Sequence, residues 1–211
     1  MPDENATEID QSAWPGADQF RFFRTYERPH YAVTARVDVS RLMARKSELP
    51  VFRTCLWAIG AGLHAAPQLR LRFQGDVVRS YERLELSPTI ATEGGDFRYT
   101  YLTWQADRAA FDAHAAEEIA KVRAGVPLNA NTGQRAAVAY LSCLPWLDYT
   151  SVDNALPHAD DCIPQVSWGK IVPSVAGHDM AMTIQVHHAL VHGYHVSQFL
   201  AATQGAFDAL A

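Results

Sequence analysis

Histidine is concentrated in one short stretch of this 211-residue chain. Four of the nine histidines, His187, His188, His192 and His195, fall within nine residues. They come where an apolar, strand-like run ends and a helix-like run begins, with Gly193 at the bend, and loops that follow strands often carry reactive side chains. A neutral imidazole has an unperturbed pKa of about 6.5, so it can accept a proton near neutral pH. The stretch therefore predicts a general base.

Two other interpretations of these histidines remain open. One is a set of partly exposed turn residues without a chemical role. The other is a metal site, because His188 and His192 are four residues apart and a helix would place both on one face. Gly193 and the preceding strand argue against a helix here, no acidic residue lies nearby to complete a ligand set, and no HExxH pattern occurs. We therefore expect no metal and prefer the general base.

Composition limits the class of protein. Apolar residues make up 48% of the chain, and the charged residues, 19%, are spread along it with a formal net charge of −5. Dispersed negative charge argues against nucleic acid as a partner, because phosphate binding needs clustered Lys and Arg. The three cysteines are far apart and form no CxxC pair, which favours reduced thiols. With no secretory signal at the start and no apolar run of roughly 20 residues to span a bilayer, we expect a cytoplasmic protein.

Hydrophobic periodicity predicts helices and strands that do not alternate strictly. Strands are expected near 31–39, 69–73, 77–81, 89–92, 97–104, 136–143, 165–171 and 180–187, and helices near 40–45, 50–66, 107–123 and 194–210. Gln74-Gly75-Asp76 would form a hairpin turn, with Arg70 and Arg72 on the polar face of its first strand. Asp107 and Gly125 would cap the third helix.

Because runs of strands dominate the middle of the chain, these elements predict an α/β fold. We expect a two-layer sandwich with a mixed, largely antiparallel sheet covered by helices on one face. No linker or internal repeat divides the chain. Residues 1–11 are therefore expected to form a flexible segment, and residues 12–211 a single domain.

The stretch from Gln185 to Val196 resembles the signature of the chloramphenicol acetyltransferase family. That signature is HHxxxDG followed by an aromatic residue and His-Val, and the chain matches it at His187-His188, Gly193-Tyr194 and His195-Val196. The second histidine of the pair is the catalytic base in that family. The resemblance therefore implies that His188 removes a proton from the acceptor.

Three further stretches match the family in the same order, so that the resemblance spans roughly residues 12–210. Residues 142–146, Ser-Cys-Leu-Pro-Trp, resemble Ser-Ala-Leu-Pro-Trp, whose serine stabilises the oxyanion, which implies that role for Ser142. Residues 164–170 resemble a segment whose threonine holds a water near the tetrahedral intermediate, and Ser167 takes that position. Residues 14–24 resemble a stretch that implies a place in the acceptor pocket for Phe22 and Phe23.

The resemblance also implies the partners of the reaction. Acetyl-CoA would be the co-substrate, without a metal, and Lys170 matches a family lysine near the coenzyme. Tyr31 and Trp146 join the candidate substrate-binding residues. The family is a homotrimer with each active site between two subunits, which is the expectation for this chain. Chloramphenicol is the first acceptor to consider, which would make the protein an antibiotic-resistance enzyme, although Phe23 replaces a family tyrosine in the pocket.

One departure concerns the loop that supports the base. The family has an aspartate four residues after the catalytic histidine, paired with an arginine near the N-terminus, and His192 and Gly16 occupy these positions here. A buried charge without its partner is strongly destabilising, so the loss of one member of this ion pair favours the loss of the other. Together with Gly193, His192 would orient the loop, or it would merely fill space.

The altered loop and pocket keep three alternatives open. The first is another acyl-transfer, condensation or cyclisation step of small-molecule biosynthesis that reuses the chemistry of His188. The second is a catalytically weak homologue that binds a small ligand without turnover. The third is a metal-binding protein built on the histidine stretch.

Overall fold

The computed structural model describes residues 6–131 and 133–210. Its strands are β1 (Ala6–Glu8), β2 (His30–Asp38), β3 (Leu71–Gln74), β4 (Val77–Tyr81), β5 (Glu85–Ala91), β6 (Phe97–Tyr99), β7 (Leu102–Thr103), β8 (Val138–Cys143), β9 (Gln165–Trp168), β10 (Val172–Ser174) and β11 (Gly177–His187). Its α-helices are α1 (Ala17–Phe23), α2 (Ser40–Ala44), α3 (Val51–Ala65), α4 (Arg108–Arg123) and α5 (Gly193–Asp208).

The larger sheet is mixed and largely antiparallel, which confirms the predicted fold class. Its strands lie in the order β2-β11-β9-β8-β5, with β6 and β7 pairing with β5, and β10 pairing with the start of β11. In the part of the chain that the structure describes, the β5–β8 and β8–β9 pairs are parallel and the other pairs are antiparallel. A smaller sheet has the order β1-β4-β3. The long strand β11 therefore lies between β2 and β9.

Helices cover one face of the larger sheet. Val166 of β9 and Ile184 of β11 lie in the hydrophobic core together with buried side chains of α3, α4 and α5. The helices α3 and α5 approach closely because Gly62 lies against Thr203, and a Cβ at Gly62 would come within 2.1 Å of Thr203 Oγ1. This packed layer fixes the sheet from one side.

The opposite face of the sheet is polar and is covered by a long irregular segment, residues 144–164. Ser142, Ser167 and Thr183 are in register on adjacent strands, so their side chains share this face. The segment is tied to the sheet where the backbone N–H of Asn154 donates to Gln185 Oε1 at 2.7 Å. The cavity in this layer consequently has hydroxyl and amide groups among its lining residues.

Predictions that depend on neighbouring residues are confirmed. The carboxylate of Asp107 accepts the backbone N–H of Ala110 at 2.7 Å and caps α4. Gly125 ends that helix with a φ of 105°, and Gly75 turns the β3–β4 hairpin with a φ of 56°. Glycine reaches these angles without the steric cost of a Cβ.

The N-terminal segment differs from the sequence expectation in the residues that the structure describes. Residues 6–8, inside the segment 1–11 that we expected to be flexible, form β1 and pair with residues 79–81 of β4. Ile9 extends this pairing by donating its backbone N–H to Val78 at 2.9 Å. Because the partner strand lies about 70 residues further along the chain, local polarity gave no sign of it.

The strand predicted near 97–104 is two short strands. β6 pairs with residues 89–91 and β7 with residues 85–86 of the same partner, β5. Between these two paired stretches of β5 lies Pro88, which has no N–H to donate to a neighbouring strand. The prediction began that partner strand after the proline, whereas β5 runs through it from Glu85.

The expectation of a polar strand face at Arg70 and Arg72 is wrong for Arg72, which is buried. Its guanidinium donates to the backbone carbonyls of Leu69, Leu71, Ala136 and Val138 at 2.6 to 2.9 Å. Burial is possible because these oxygens replace the water that an arginine normally requires. Two of the acceptors lie more than 60 residues away, so alternation within the hairpin could not indicate them.

Candidate active site

His188 is the first residue after β11. Its backbone N–H donates to Pro29 O at 2.8 Å, which extends the pairing of β2 with β11 by one residue. The chain then turns, as the N–H of Val191 donates to His187 O at 3.1 Å, and α5 begins at Gly193. Pairing before it and a turn after it fix the backbone of His188.

Two aromatic side chains enclose the half-buried ring of His188. Phe23, the last residue of α1, stacks on it with ring centroids 3.8 Å apart and an interplanar angle of 10°. Tyr31 lies at a centroid distance of 4.7 Å, and its hydroxyl points to the carbonyl oxygen of Val191. Burial raises the pKa of Tyr31 to about 12, so the phenol keeps its proton. The imidazole therefore has only limited freedom to rotate.

His192 lies beside the same ring. Its Nδ1 is 3.3 Å from Nδ1 of His188, and its backbone N–H donates to Nδ1 of His195 at 3.1 Å in a reciprocal capping contact at the start of α5. Burial is the largest cause that lowers the pKa of His192 and of His195, so both rings favour the neutral form. His192 and His195 thus cap the first turn of α5.

His187, the other half of the histidine pair, is the last residue of β11 and is paired with His30 of β2. It is buried between the rings of His30 and Phe73, and its Nδ1 accepts the backbone N–H of Ala189 at 3.1 Å. Burial, followed by the neighbouring His30, lowers the pKa of His187 to about 3. This imidazole therefore stays neutral and has a packing role.

The two serines lie together in a different place. Ser142 of β8 is in register with Ser167 of β9, and both line a cavity of about 380 Å³ between the sheet and the irregular segment. Ser167 Oγ donates to Asn154 Oδ1 at 3.1 Å, and its carbonyl accepts the hydroxyl of Tyr149 at 2.8 Å. Hydroxyl donors that line a cavity can stabilise an oxyanion formed there.

The serine cavity and His188 are separate within one chain. Ser167 is paired with Thr183 of β11, and His187 lies four residues further along that strand, roughly 13 Å away at the usual rise of a strand. His188 does not line the cavity. Within one chain, this imidazole therefore does not come within hydrogen-bond distance of Ser142.

A comparison with protein-family models covers nearly the whole chain. The model described as chloramphenicol acetyltransferase matches residues 4–204. The chain belongs to the chloramphenicol acetyltransferase family. Its curated relatives carry the same description, so the protein is an acyltransferase, as the sequence predicts.

The relatives are distant but extend along the chain. A chloramphenicol acetyltransferase of Bacillus pumilus is 24% identical over 187 residues, 87% of this chain and 85% of the relative. A chloramphenicol acetyltransferase of Clostridium perfringens is 23% identical over 201 residues, which cover 93% of this chain and 92% of the relative. A solved chloramphenicol acetyltransferase superposes with a TM-score of 0.82 at 21% identity, covering 96% of this chain and 99% of its own. At that identity the superposition supports the fold alone.

The missing ion pair of the chloramphenicol acetyltransferase signature has a steric counterpart at the N-terminus. Gly16 precedes α1, and a Cβ at this position would come within 2.5 Å of the ring of Trp14. An arginine could enter only if Trp14 moved. The ring of Trp14 thus occupies the space beside Gly16, and the ring of His192 lies beside that of His188.

Four other residues that the resemblance to chloramphenicol acetyltransferases singled out lie outside the cavity. Trp146 is 74% exposed in the turn after β8, and Phe22 is 56% exposed beside Phe23. Lys170 is exposed, and its backbone N–H donates to Leu147 O at 2.8 Å. At Gly193 an added Cβ would meet nothing within 4 Å. Within one chain, these residues therefore face solvent.

The structure also limits other chemistry. Burial raises the pKa of the Cys143 thiol to about 12, so it is a poor nucleophile. Among residues 6–131 and 133–210, no group of three or more His, Cys, Asp or Glu side chains could hold a metal ion. Within the same residues, no helix combines the length and apolarity needed to cross a bilayer.

Sequence reasoning missed three polar residues around the serines: Asn154, Asp161 and Gln185. Gln185 stands between Ile184 and Val186 in a buried strand, and such a polar residue is a signal that could have been used. Asn154 and Asp161 lie in the irregular segment, where no periodicity indicates which side chains turn inward.

Proposed function

We propose that the protein transfers an acetyl group from acetyl-CoA to the hydroxyl of a small molecule, with His188 as the general base. One observation carries the proposal: the ring of His188 is held at the exit of β11 by Phe23, Tyr31 and His192. A base that is positioned in this way spends less free energy on ordering when the reaction begins. We place the reaction in the cytoplasm, where the free cysteines would stay reduced.

The arrangement of the rings favours one tautomer of His188. Nδ1 of His188 faces Nδ1 of His192, and a hydrogen bond between them needs a proton on one of the two atoms. We assign that proton to His188. Its Nε2 then carries the free lone pair, which is the form a base requires. His192 is a positioning residue in this scheme.

The reaction follows from these positions. Nε2 of His188 takes the proton of the acceptor hydroxyl while the oxygen attacks the thioester carbonyl of acetyl-CoA. Ser142 donates a hydrogen bond to the oxyanion. Ser167 holds a water molecule near the tetrahedral intermediate, the role that the resemblance implies for its position. When the tetrahedral intermediate collapses, the bond from carbon to sulfur breaks, and the proton passes from the imidazolium to the thiolate of CoA. The products are the O-acetyl ester and free CoA.

Our proposal requires a second subunit, because His188 and Ser142 are apart in one chain. The exposed rings of Phe22 and Tyr194 flank the histidines and leave an apolar surface there. We propose a homotrimer in which His188 of one subunit reaches the serine cavity of the next, with Lys170 and Trp146 near the bound acetyl-CoA and acceptor. Sedimentation is expected to give three times the mass of the chain, and a monomer would contradict this arrangement.

The decisive assay follows release of the CoA thiol with acetyl-CoA and a series of hydroxyl acceptors, chloramphenicol first. His188→Ala should lower the rate by about 10²–10⁴, the usual contribution of a positioned base. His178→Ala removes an imidazole on the β10–β11 hairpin and is the matched control. Equal loss in both variants, or turnover that survives in His188→Ala, would contradict the assignment. Ligand binding without turnover in the wild type would favour a binding role.

A further inference from the structure

The cavity beside Ser142 and Ser167 combines polar and apolar lining residues. Ten of the fifteen residues around it carry a polar side chain, and a few well-placed polar groups fix the orientation of a ligand in such a site. Tyr99 and Tyr140 contribute ring surface as well as hydroxyls. An acceptor that occupies this space therefore meets hydrogen-bonding groups on several sides.

Asp161 is a buried carboxylate in this lining, with 7% of its surface exposed. Its Oδ1 accepts the backbone N–H of Ile163 at 3.1 Å. Within residues 6–131 and 133–210, no lysine, arginine or histidine nitrogen lies within 4.0 Å of its carboxylate, although twelve other ion pairs occur. Burying an ionised carboxylate is costly unless a cation or several donors accompany it.

The buried guanidinium of Arg72 does not fill this role. It acts on Asp161 at longer range, but its N–H groups donate to four backbone carbonyls. Because those bonds hold it in place, Arg72 cannot turn to form a direct ion pair without leaving carbonyls unsatisfied. The carboxylate keeps capacity for a donor that enters the cavity.

Asn154 provides a second unused group. Its Oδ1 accepts the hydroxyl of Ser167, while its Nδ2 is buried and has no hydrogen-bond partner in the described chain. Either orientation of the amide leaves one polar atom without a partner next to Ser167. A buried amide of this kind costs free energy until a ligand satisfies it.

We propose that the acceptor is a small hydroxylated amine. Its ammonium group pairs with Asp161, an oxygen accepts a hydrogen bond from Asn154, and the hydroxyl to be acetylated lies near Ser142 and Ser167. This substrate class rests on the acyl transfer proposed above. A site with buried polar groups rejects ligands that leave those groups unpaired, so neutral aromatic acceptors should be poor substrates.

Binding tests the proposal without relying on turnover. Calorimetry near neutral pH compares amino sugars and amino alcohols, glucosamine first, with their N-acetyl forms, which keep the hydroxyls but lose the charge. The wild type should bind at least one amine tenfold or more tightly than its N-acetyl partner. Asp161→Asn should abolish that preference, and Asp160→Asn, an exposed carboxylate one residue away, should keep it. If no amine binds more tightly than its N-acetyl form, the proposal fails.

Thiol release with the same pairs separates this proposal from the acyl transfer itself. Equal rates for charged and neutral acceptors, unchanged in Asp161→Asn, would overturn the amine class and leave acyl transfer standing. Charge-dependent binding without release from any acceptor would overturn acyl transfer and leave the amine site standing. Should Asp161→Asn not fold, Asn154→Leu replaces it, with a tenfold loss of amine binding expected and unchanged binding as the contradicting result.

Discussion

The histidine end of β11 and the serine cavity in the middle of the sheet are built differently. At the histidine end, which comprises His187, His188, His192 and His195, the ring of Phe23 stacks on that of His188 with centroids 3.8 Å apart. Nδ1 of His192 lies 3.3 Å from Nδ1 of His188, at the edge of its ring. In the serine cavity, Asn154 has a buried Nδ2 without a partner, and Asp161 is buried without an ion pair in the described chain. The ring of His188 is enclosed by its own contacts, although the buried Nε2 of the neighbouring His187 has no hydrogen-bond partner in the described chain. The serine cavity instead holds polar groups with which a ligand could pair.

This difference separates the roles of the two regions. A base has to keep one orientation through many turnovers, and packing against aromatic faces provides that. A binding cavity has to gain free energy when a ligand arrives, and unsatisfied polar groups provide that. We therefore expect substitutions at the histidine end to change kcat, and substitutions around Asp161 to change which acceptor binds.

The largest effect that would sharpen this comparison is expected at Ser142. In Ser142→Ala the oxyanion loses a hydrogen-bond donor, which typically lowers kcat by about 10²–10³. Steady-state kinetics of thiol release measure the change, with Ser174→Ala on the β10–β11 hairpin as a control that keeps full activity. A Ser142→Ala enzyme within twofold of wild type would mean that the cavity only binds and that the oxyanion is stabilised elsewhere.

A smaller effect is expected where Phe23 stacks on His188. An aromatic pair contributes about 0.5–1.5 kcal/mol beyond its buried area, so Phe23→Ala should lower kcat by between about twofold and tenfold. Phe23→Tyr keeps the ring and should restore the rate, and KM for acetyl-CoA should change little in either variant. If KM rises while kcat stays constant, Phe23 is a binding residue and the histidine end is less preorganised than the contacts indicate.

The effect that is smallest near neutral pH, and grows only in acid, concerns His187 and the pH dependence of stability. Its pKa is lowered from 6.5 to about 3, so it is neutral in the folded chain and takes up a proton on unfolding below pH 6.5. The neutral ring's contribution to the free energy of unfolding is fully present above pH 6.5. It is lost as the pH falls towards 3, and the free energy of unfolding then decreases by up to about 1.4 kcal/mol per pH unit. Urea unfolding at several pH values gives the free energy of unfolding as a function of pH, and between pH 6.5 and 3 its slope against pH should be shallower for His187→Gln than for wild type.

The exposed His158 supplies the control for that experiment, since His158→Gln should retain the slope of the wild type. An identical slope in His187→Gln and wild type would mean that water reaches His187 in the folded chain. Solvent would then enter the histidine end more than its ring contacts imply, and the two regions would differ less in how closely their side chains are packed.

Features set by neighbouring residues could be predicted from the sequence. The Asp107 cap, the Gly75 turn and the position of His188 between a strand and a helix all follow from local patterns. The resemblance added Ser142 and Ser167, which the structure brings together in one cavity. Each of these features depends on a few consecutive residues or on one motif.

Features set by distant partners could not be predicted in this way. Arg72 is buried because carbonyls 64 and 66 residues away accept its N–H groups. Asn154 and Asp161 turn inward from an irregular segment that has no periodicity, and their importance depends on strands β8 and β9 beneath them. The separation of His188 from the serines also depends on register, because β11 carries the histidine beyond the row in which Ser167 lies.

Mixing two inactive variants tests the central claim most directly. Chains with His188→Ala and chains with Ser142→Ala are each expected to be nearly inactive alone. If an active site joins His188 of one subunit to Ser142 of the next, every mixed trimer contains one intact site. Random mixing should then restore about a quarter of wild-type activity. No restoration in trimers shown to contain both variants would contradict a site shared between subunits.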